Sequence, residues 1–235
     1  MELHRLNRDF DKVVCINLSE RPDKRNAMQK KFDELGIKVE WFTTVQFGFA
    51  PKIIDAIEKA KVGHFNANQP FEIGPSISHY SVIKQAFIEK CENIFVFEDD
   101  VRFHGNFNEK LDKYLDDLPQ NWEVILLYSF MYDILPENIR VSKRWIKSFR
   151  AWSLMSYGMK REFMKKYIES QDNFWTISDM VTYRLQETKQ YNIYSAIPTL
   201  CIPEVKLGSN VRGENMNYNY TPTILNRGYS DDHYI

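Results

Sequence analysis

An α/β fold built on an open sheet is what this chain of 235 residues predicts, and three observations carry the prediction. Short apolar runs of strand character alternate with segments of helical periodicity. Two of those runs end in polar residues, as strands of an open α/β sheet do where ligands bind outside their carboxyl ends. Composition suits a single domain: 43% of the residues are hydrophobic, and no shift in composition marks a boundary.

The first run, Val13-Val14-Cys15-Ile16, leads through a polar turn to Met28, Phe32 and Leu35 at helical spacing, with Gly36 as the stop. Residues 38–43 alternate and carry Val39, Trp41 and Phe42, which favours a strand, and Pro51 opens a helix that buries Ile53, Ile54 and Ile57. A helix over 77–90 has Val82, Ile83, Ala86 and Phe87 as its apolar stripe and leads into a strand at 94–98. The next helix, 107–118, presents Leu111, Tyr114, Leu115 and Leu118 and stops before Pro119. A buried strand at 124–128 and an irregular segment at 131–138 follow. A strand at 153–157, helices at 161–170 and 177–187 and a strand at 193–196 complete the pattern. From Gly208 onward the chain is rich in Asn, Tyr, Gly and Pro, so residues 1–207 read as the domain and 208–235 as a wrapping tail or mobile loop.

A formal charge of −1, from 31 basic and 32 acidic residues, offers no global field for nucleic acid. Cys15, Cys91 and Cys201 are widely spaced, which fits reduced core packing better than a disulfide frame or a zinc site. No segment reaches the roughly 18 to 20 apolar residues of a membrane span, and the polar start lacks the apolar core of a signal peptide. A soluble, cytoplasmic chain is the expectation. The stretch Lys143-Arg144-Trp145-Ile146-Lys147-Ser148-Phe149-Arg150 interleaves cations with aromatics and reads as an amphipathic surface strand. Such a strand offers peripheral contact to a membrane, a sugar ring or an anionic lipid-linked acceptor.

The most informative segment is Asn93-Ile94-Phe95-Val96-Phe97-Glu98-Asp99-Asp100-Val101, where an apolar strand ends in three consecutive carboxylates. Crowded carboxylates disfavour one another's ionisation unless a cation compensates them. Strand alternation places Glu98 and Asp100 on one face, so these two converge on one ion. Hard oxygen ligands suit Mn²⁺ or Mg²⁺, ions that keep positions open for substrate phosphates. The plainer alternative is a solvated turn that merely ends the strand.

Four segments, in order, resemble glycosyltransferase family 25, which includes bacterial lipooligosaccharide galactosyltransferases and the collagen galactosyltransferases. The first is Ile16-Asn17-Leu18-Ser19-Glu20-Arg21-Pro22-Asp23-Lys24-Arg25, similar to the family's opening Asn-Leu and spaced arginines. The second is Glu72-Ile73-Gly74-Pro75-Ser76-Ile77-Ser78-His79, with Pro75 where the family usually has Cys. The third is the acidic strand end. The fourth comprises Tyr157, Ser178-Asp179 and, after Pro203, Ser209-Asn210-Val211. The resemblance implies a GT-A-type, Rossmann-like open mixed sheet flanked by helices, a nucleotide-sugar donor of the uridine diphosphate type, a divalent cation, and inversion at the anomeric carbon. It also implies a hexose such as galactose, moved to a glycan, glycolipid or glycoprotein acceptor, as in lipopolysaccharide biosynthesis.

Asp100 is the first candidate metal ligand and Glu98 its partner, on the metal or on the donor ribose, with Asp99 as substitute if the strand ends early. Asn17, Leu18, Arg21 and Arg25 follow the first strand, where guanidinium groups suit a nucleotide or its diphosphate. For Arg25 a solvated helix start is an equal reading. Ser78 and His79 fall in the first turn of a helix, where N–H groups favour an anion, and His79 is either a donor contact or an organiser of the loop. Asp179 is the candidate general base, or else a first-turn stabiliser, with Asp172 and Asp133 behind it. His233, in a tail that closes over the donor, is a candidate to complete the metal shell, or else part of a frayed terminus. Two rival functions share these residues: a non-catalytic nucleotide-sugar-binding protein and a metal-dependent phosphohydrolase.

Overall fold

The structure, a computed structural model, describes residues 3–44, 73–131, 140–173, 177–204 and 231–235. The helix expected from Pro51, the segment holding Asp133, and the tail from Gly208 up to residue 230 lie outside the described residues.

A short helix, α1 (Arg5–Asp9), precedes β1 (Lys12–Leu18), whose five central residues are all buried. Helix α2 (Pro22–Leu35) begins on Pro22, whose missing N–H is harmless in a first turn. It ends at Gly36, where φ of 75° lets the N–H return to the carbonyls of Asp33 and Phe32. Strand β2 (Glu40–Thr44) pairs parallel to β1, while α3 (Ile73–Ile88) leads to β3 (Asn93–Glu98), which pairs parallel to β1 on its other side. Helix α3 starts four residues earlier than the periodicity suggests, because Pro75 is tolerated in a first turn.

Beyond a tight turn, β4 (Val101–Phe103) leads to α4 (Phe107–Asp116), β5 (Val124–Leu126) and the short β6 (Phe130–Met131). Next come β7 (Trp145–Lys147), β8 (Ala151–Trp152) and β9 (Ser156–Lys160). The strand expected at 153–157 lies later, at β9, because Ser153 adopts φ of 97° and breaks the extended run. Helices α5 (Arg161–Asn173) and α6 (Ser178–Glu187), then β10 (Ile193–Ala196) and β11 (Cys201–Pro203), complete the domain.

The main sheet has the order β2-β1-β3-β9-β5-β10-β7. Strands β1, β2, β3, β5 and β10 run one way and β9 and β7 run against them, so the sheet is open and mixed, flanked by helices. The chain leaves β1 for β2 on one side and returns to β3 on the other, which creates a crevice at the carboxyl ends of β1 and β3.

Alternation along β3 sorts the core into two layers. Phe95 and Phe97 join Phe32, Phe103 and Phe107 beside α2 and α4, with ring centroids 4.8–5.9 Å apart along the series. Ile94 and Val96 join Val82, Ile83, Phe163 and Met164 beside α3 and α5. All three cysteines are buried and free, in line with their reading as core.

One sequence reading changes. The stretch at 143–150 is not an amphipathic face: Trp145 is fully buried in edge strand β7, and its indole N–H donates to the Tyr114 carbonyl at 2.7 Å. Arg144 lies 3.5 Å from Asp117, and Lys147 donates to Asn192 at 3.0 Å. Residues 231–235, read as part of a tail, are docked against β4. Phe103 and Ile235 exchange backbone hydrogen bonds (3.1 and 2.8 Å), and the buried Tyr234 donates its O–H to the Thr199 carbonyl at 2.8 Å. Among the described residues no helix is long and apolar enough to cross a membrane.

Candidate active site

The crevice begins with β1 and β3 themselves. Register pairs Ile16 with Glu98, so the residues after each face one another across the strand ends. Asn17 donates its side-chain N–H to Asp99 at 2.7 Å, and the Leu18 backbone N–H supports the same carboxylate. Three of the expected donor contacts, Asn17, Leu18 and Asp99, are thus tied to each other as a latch between strands. Asp99 is nearly buried, and loss of water pushes its carboxyl above the usual range despite Lys24 and Asn17.

Strand β3 ends at Glu98, so alternation does not extend through the acidic turn as the sequence reading assumed. The three carboxylates are held from different sides. Glu98 continues the Val96 face and meets α3: His79 Nε2 lies 3.0 Å from Glu98 Oε1, and His79 Nδ1 lies 3.1 Å from the Tyr157 hydroxyl. A carboxylate only accepts, so a neutral His79 carries its proton on Nε2 and accepts from the Tyr157 O–H. His79 shares the buried stripe of α3 with Val82, Ile83 and Ala86, which is why it points at the sheet.

Asp100 turns instead toward α2. The Lys24 ammonium donates to Asp100 Oδ2 at 3.0 Å and lies 3.7 Å from Asp99 Oδ1, and its side chain is 0% exposed. The Asp100 carbonyl accepts from the Glu204 N–H at 2.6 Å, so the end of β11 clamps the turn. Desolvation outweighs Lys24, and with the charges of Glu98 and Asp99 it raises Asp100 to about 6.

Asp179, far from this turn in sequence, is brought to the same place by α6. Loss of water and the charge of Glu98 raise its carboxyl to about 6, against the opposing effects of His79 and the backbone N–H groups of Leu154 and Ser153. The left-handed Ser153 therefore shapes the turn whose N–H groups receive Asp179.

The other candidates are placed less centrally. Arg21 pairs with Asp23 (2.9 and 2.7 Å), and Arg25 donates to Thr43 at 3.0 Å while lying 4.8 Å over the Trp41 ring. Ser78 donates to the Gly74 carbonyl of its own helix, and Asp172 accepts from Tyr80 at 2.5 Å. His233 lies with its ring tilted 5.9 Å from that of His104, past the end of β4 remote from the acidic turn.

Lys24 was missed, although a signal existed: Lys24, Met28 and Phe32 occupy every fourth position, and they are the buried residues of α2. Tyr157 stands in the family-like order without a role of its own, and the Ser153–Leu154 turn has no sequence signature.

The donor set can be tested against a divalent cation. Among the described residues no group of three or more His, Cys, Asp or Glu forms a ready metal cage. Two hard carboxylates remain, however, each using one oxygen internally: Glu98 through Oε1 and Asp100 through Oδ2. One or two carboxylates are what Mg²⁺-type sites take from protein when substrate phosphates complete the shell, so the free oxygen of either acid suits such an ion in chemistry, while the two side chains turn to opposite layers.

This arrangement can be set beside known proteins. The family model described as glycosyltransferase family 25 (LPS biosynthesis protein) matches residues 10–182. The chain belongs to glycosyltransferase family 25. Curated relatives include a glycosyltransferase 25 family member of Aedes aegypti, 34% identical over 122 residues, or 48% of this chain and 20% of that protein. Human procollagen galactosyltransferase 2 is 32% identical over 50% of this chain and 20% of its own length. A human protein named inactive glycosyltransferase 25 family member 3 is 30% identical over 50% of this chain and 22% of its own. The chain thus matches about a fifth of each of these relatives, one of which is named inactive.

Proposed function

We propose that this chain transfers a hexose such as galactose from a uridine diphosphate sugar to a hydroxyl of a glycan, glycolipid or glycoprotein acceptor, with inversion. The observation that carries the reading is the approach of a remote carboxylate, Asp179, to Glu98 and His79 at the strand end that also carries Asp100. Inversion needs those two parts to be separate: one that holds the leaving diphosphate and one that takes a proton on the opposite side.

Glu98 and Asp100 would hold Mn²⁺ or Mg²⁺, which when bound supplies positive charge to the leaving diphosphate. His79 orients Glu98 and is itself oriented by Tyr157. Asp179 accepts the proton of the acceptor hydroxyl as its oxygen bonds to the anomeric carbon. The bond from that carbon to the diphosphate oxygen breaks, and nucleoside diphosphate leaves. Membrane-proximal acceptors and a role in lipopolysaccharide assembly stay within this proposal.

The test is a screen of nucleotide sugars for Mn²⁺-dependent release of nucleoside diphosphate, with Asp100→Ala beside the unaltered chain. Asp100→Ala is expected to fold, since Lys24 keeps Asp99 at 3.7 Å, and to lose metal-dependent binding of uridine diphosphate. Unchanged Mn²⁺ dependence of nucleotide binding would remove Asp100 from the metal. The relative named inactive supports a second reading, a binding protein on this fold. Tight uridine diphosphate binding with no transfer to any acceptor, and no donor hydrolysis, would favour it.

A further inference from the structure

We propose that Lys24 is a resident counter-cation of the acidic turn, a positioning residue that occupies Asp100 and keeps a bare divalent ion bound only weakly until the ion arrives with the donor's diphosphate. The proposal rests on the metal reading of Glu98 and Asp100 given above.

The first ground is burial. A lysine with 0% of its side chain exposed is rare, because an ammonium loses its water at a cost that only close carboxylates offset. Packing does not call for it. Position 24 continues the stripe of Met28 and Phe32, where a methionine would fill similar volume without a charge.

The second ground is charge. Glu98, Asp99 and Asp100 in ionised form carry three negative charges; Arg21 and Lys31 act on them from farther off, and Lys24 is the cation in direct contact with two of the three. The third is geometry, since Nζ stands 3.0 Å from Asp100 Oδ2 and 3.7 Å from Asp99 Oδ1. A metal that takes Asp100 must compete with this ammonium, and a fixed positive charge about 5 Å from a divalent ion weakens its binding by roughly tenfold even at the dielectric of bulk water, and by more in a partly buried site. Metal that arrives on a diphosphate brings its own negative charge and does not meet that barrier. The fold, meanwhile, keeps its acidic turn in order without metal.

The experiment measures binding of Mn²⁺ alone, without nucleotide, by calorimetric titration and by the electron paramagnetic resonance signal of free Mn²⁺. Lys24→Met is expected to bind Mn²⁺ at least about tenfold more tightly than the unaltered chain. Its thermal midpoint is expected to start lower and to rise further on addition of Mn²⁺. Equal or weaker Mn²⁺ affinity in a folded Lys24→Met would overturn the proposal and leave the metal assignment standing. Lys24→Gln, which keeps a donor without charge, covers the case in which methionine does not fold. If neither variant folds even with saturating Mn²⁺, Lys24 is a structural ion pair and the proposal fails. If neither the unaltered chain nor the variants bind Mn²⁺, with or without uridine diphosphate, the metal assignment itself falls and takes this inference with it.

Discussion

At the scale of single residues, the site is governed by crowded, partly buried carboxylates. Asp179 is held at about 6, above the ordinary 3.8, so the native state binds a proton more tightly than the unfolded chain does. Its contribution to stability is therefore fully present below about pH 4 and is lost as pH rises through 6, which makes the anion a cost at neutral pH. Asp179→Asn should remove that cost while keeping an acceptor for the Leu154 and Ser153 N–H groups. Its thermal midpoint is expected to match the unaltered chain near pH 5 and to equal or exceed it at pH 8. Turnover should fall by roughly two to four powers of ten with donor affinity retained, and the rise in rate through about pH 6 should vanish. A parallel loss of donor affinity would move Asp179 from the acceptor side to the donor sugar. The candidate Asp179 was legible because inversion requires a second acid and the family order supplied one; its neighbours were not, since Ser153 and Leu154 carry no motif.

At the scale of elements, β9 is the piece on which the site depends most. It runs antiparallel between β3 and β5, and its Tyr157 reaches His79 while the next residue, Gly158, lies against Ile125 and Phe10. A Cβ at Gly158 would stand 2.8 Å from Ile125 Cγ1 and 2.9 Å from Phe10 Cε1, inside contact distance. Gly158→Ala should accordingly destabilise the fold by about 1–3 kcal/mol in denaturant unfolding. A change within about 0.5 kcal/mol would mean that the layer between α1 and β5 yields more easily than its packing suggests. The same strand illustrates how elements shift against expectation. Alternation alone placed it at 153–157, but the backbone at Ser153 turns left-handed, and regular pairing begins only at Ser156.

At the scale of the whole molecule, the most distant connection is the docking of residues 231–235 on β4, next to the ribbon that clamps the acidic turn. Tyr234 is buried among the layer of α2 and α4, and Arg102 donates to its carbonyl at 2.7 Å. Tyr234→Ala should cost about 3 kcal/mol of unfolding free energy, from lost burial and from the Thr199 carbonyl left without its donor. Nucleotide binding at a temperature where the variant stays folded should be unaffected. A variant as stable as the unaltered chain would show that the docked segment only rests on β4.

What the sequence determined by itself is what local periodicity and composition can encode. The strand–helix alternation, the stop at Gly36, the stripe of Val82, Ile83 and Ala86, and the acidic end of β3 all follow from spacing within a few residues. Glu98, Asp99 and Asp100 stand out in the same way, whereas His79 and Asp179 come from the resemblance to the family and the order of its segments. What the tertiary structure decided is how their charges are shared. Alternation ends where β3 ends, so Glu98 goes to His79 on one layer and Asp100 to Lys24 on the other. Trp145, whose neighbours in sequence look like a surface, is buried because β7 pairs with β10 over the Tyr114 carbonyl. The physical reason is common to all three: burial and ion pairing are set by elements distant in sequence, and a lysine in an apolar stripe shows its meaning only when the carboxylates opposite it are known.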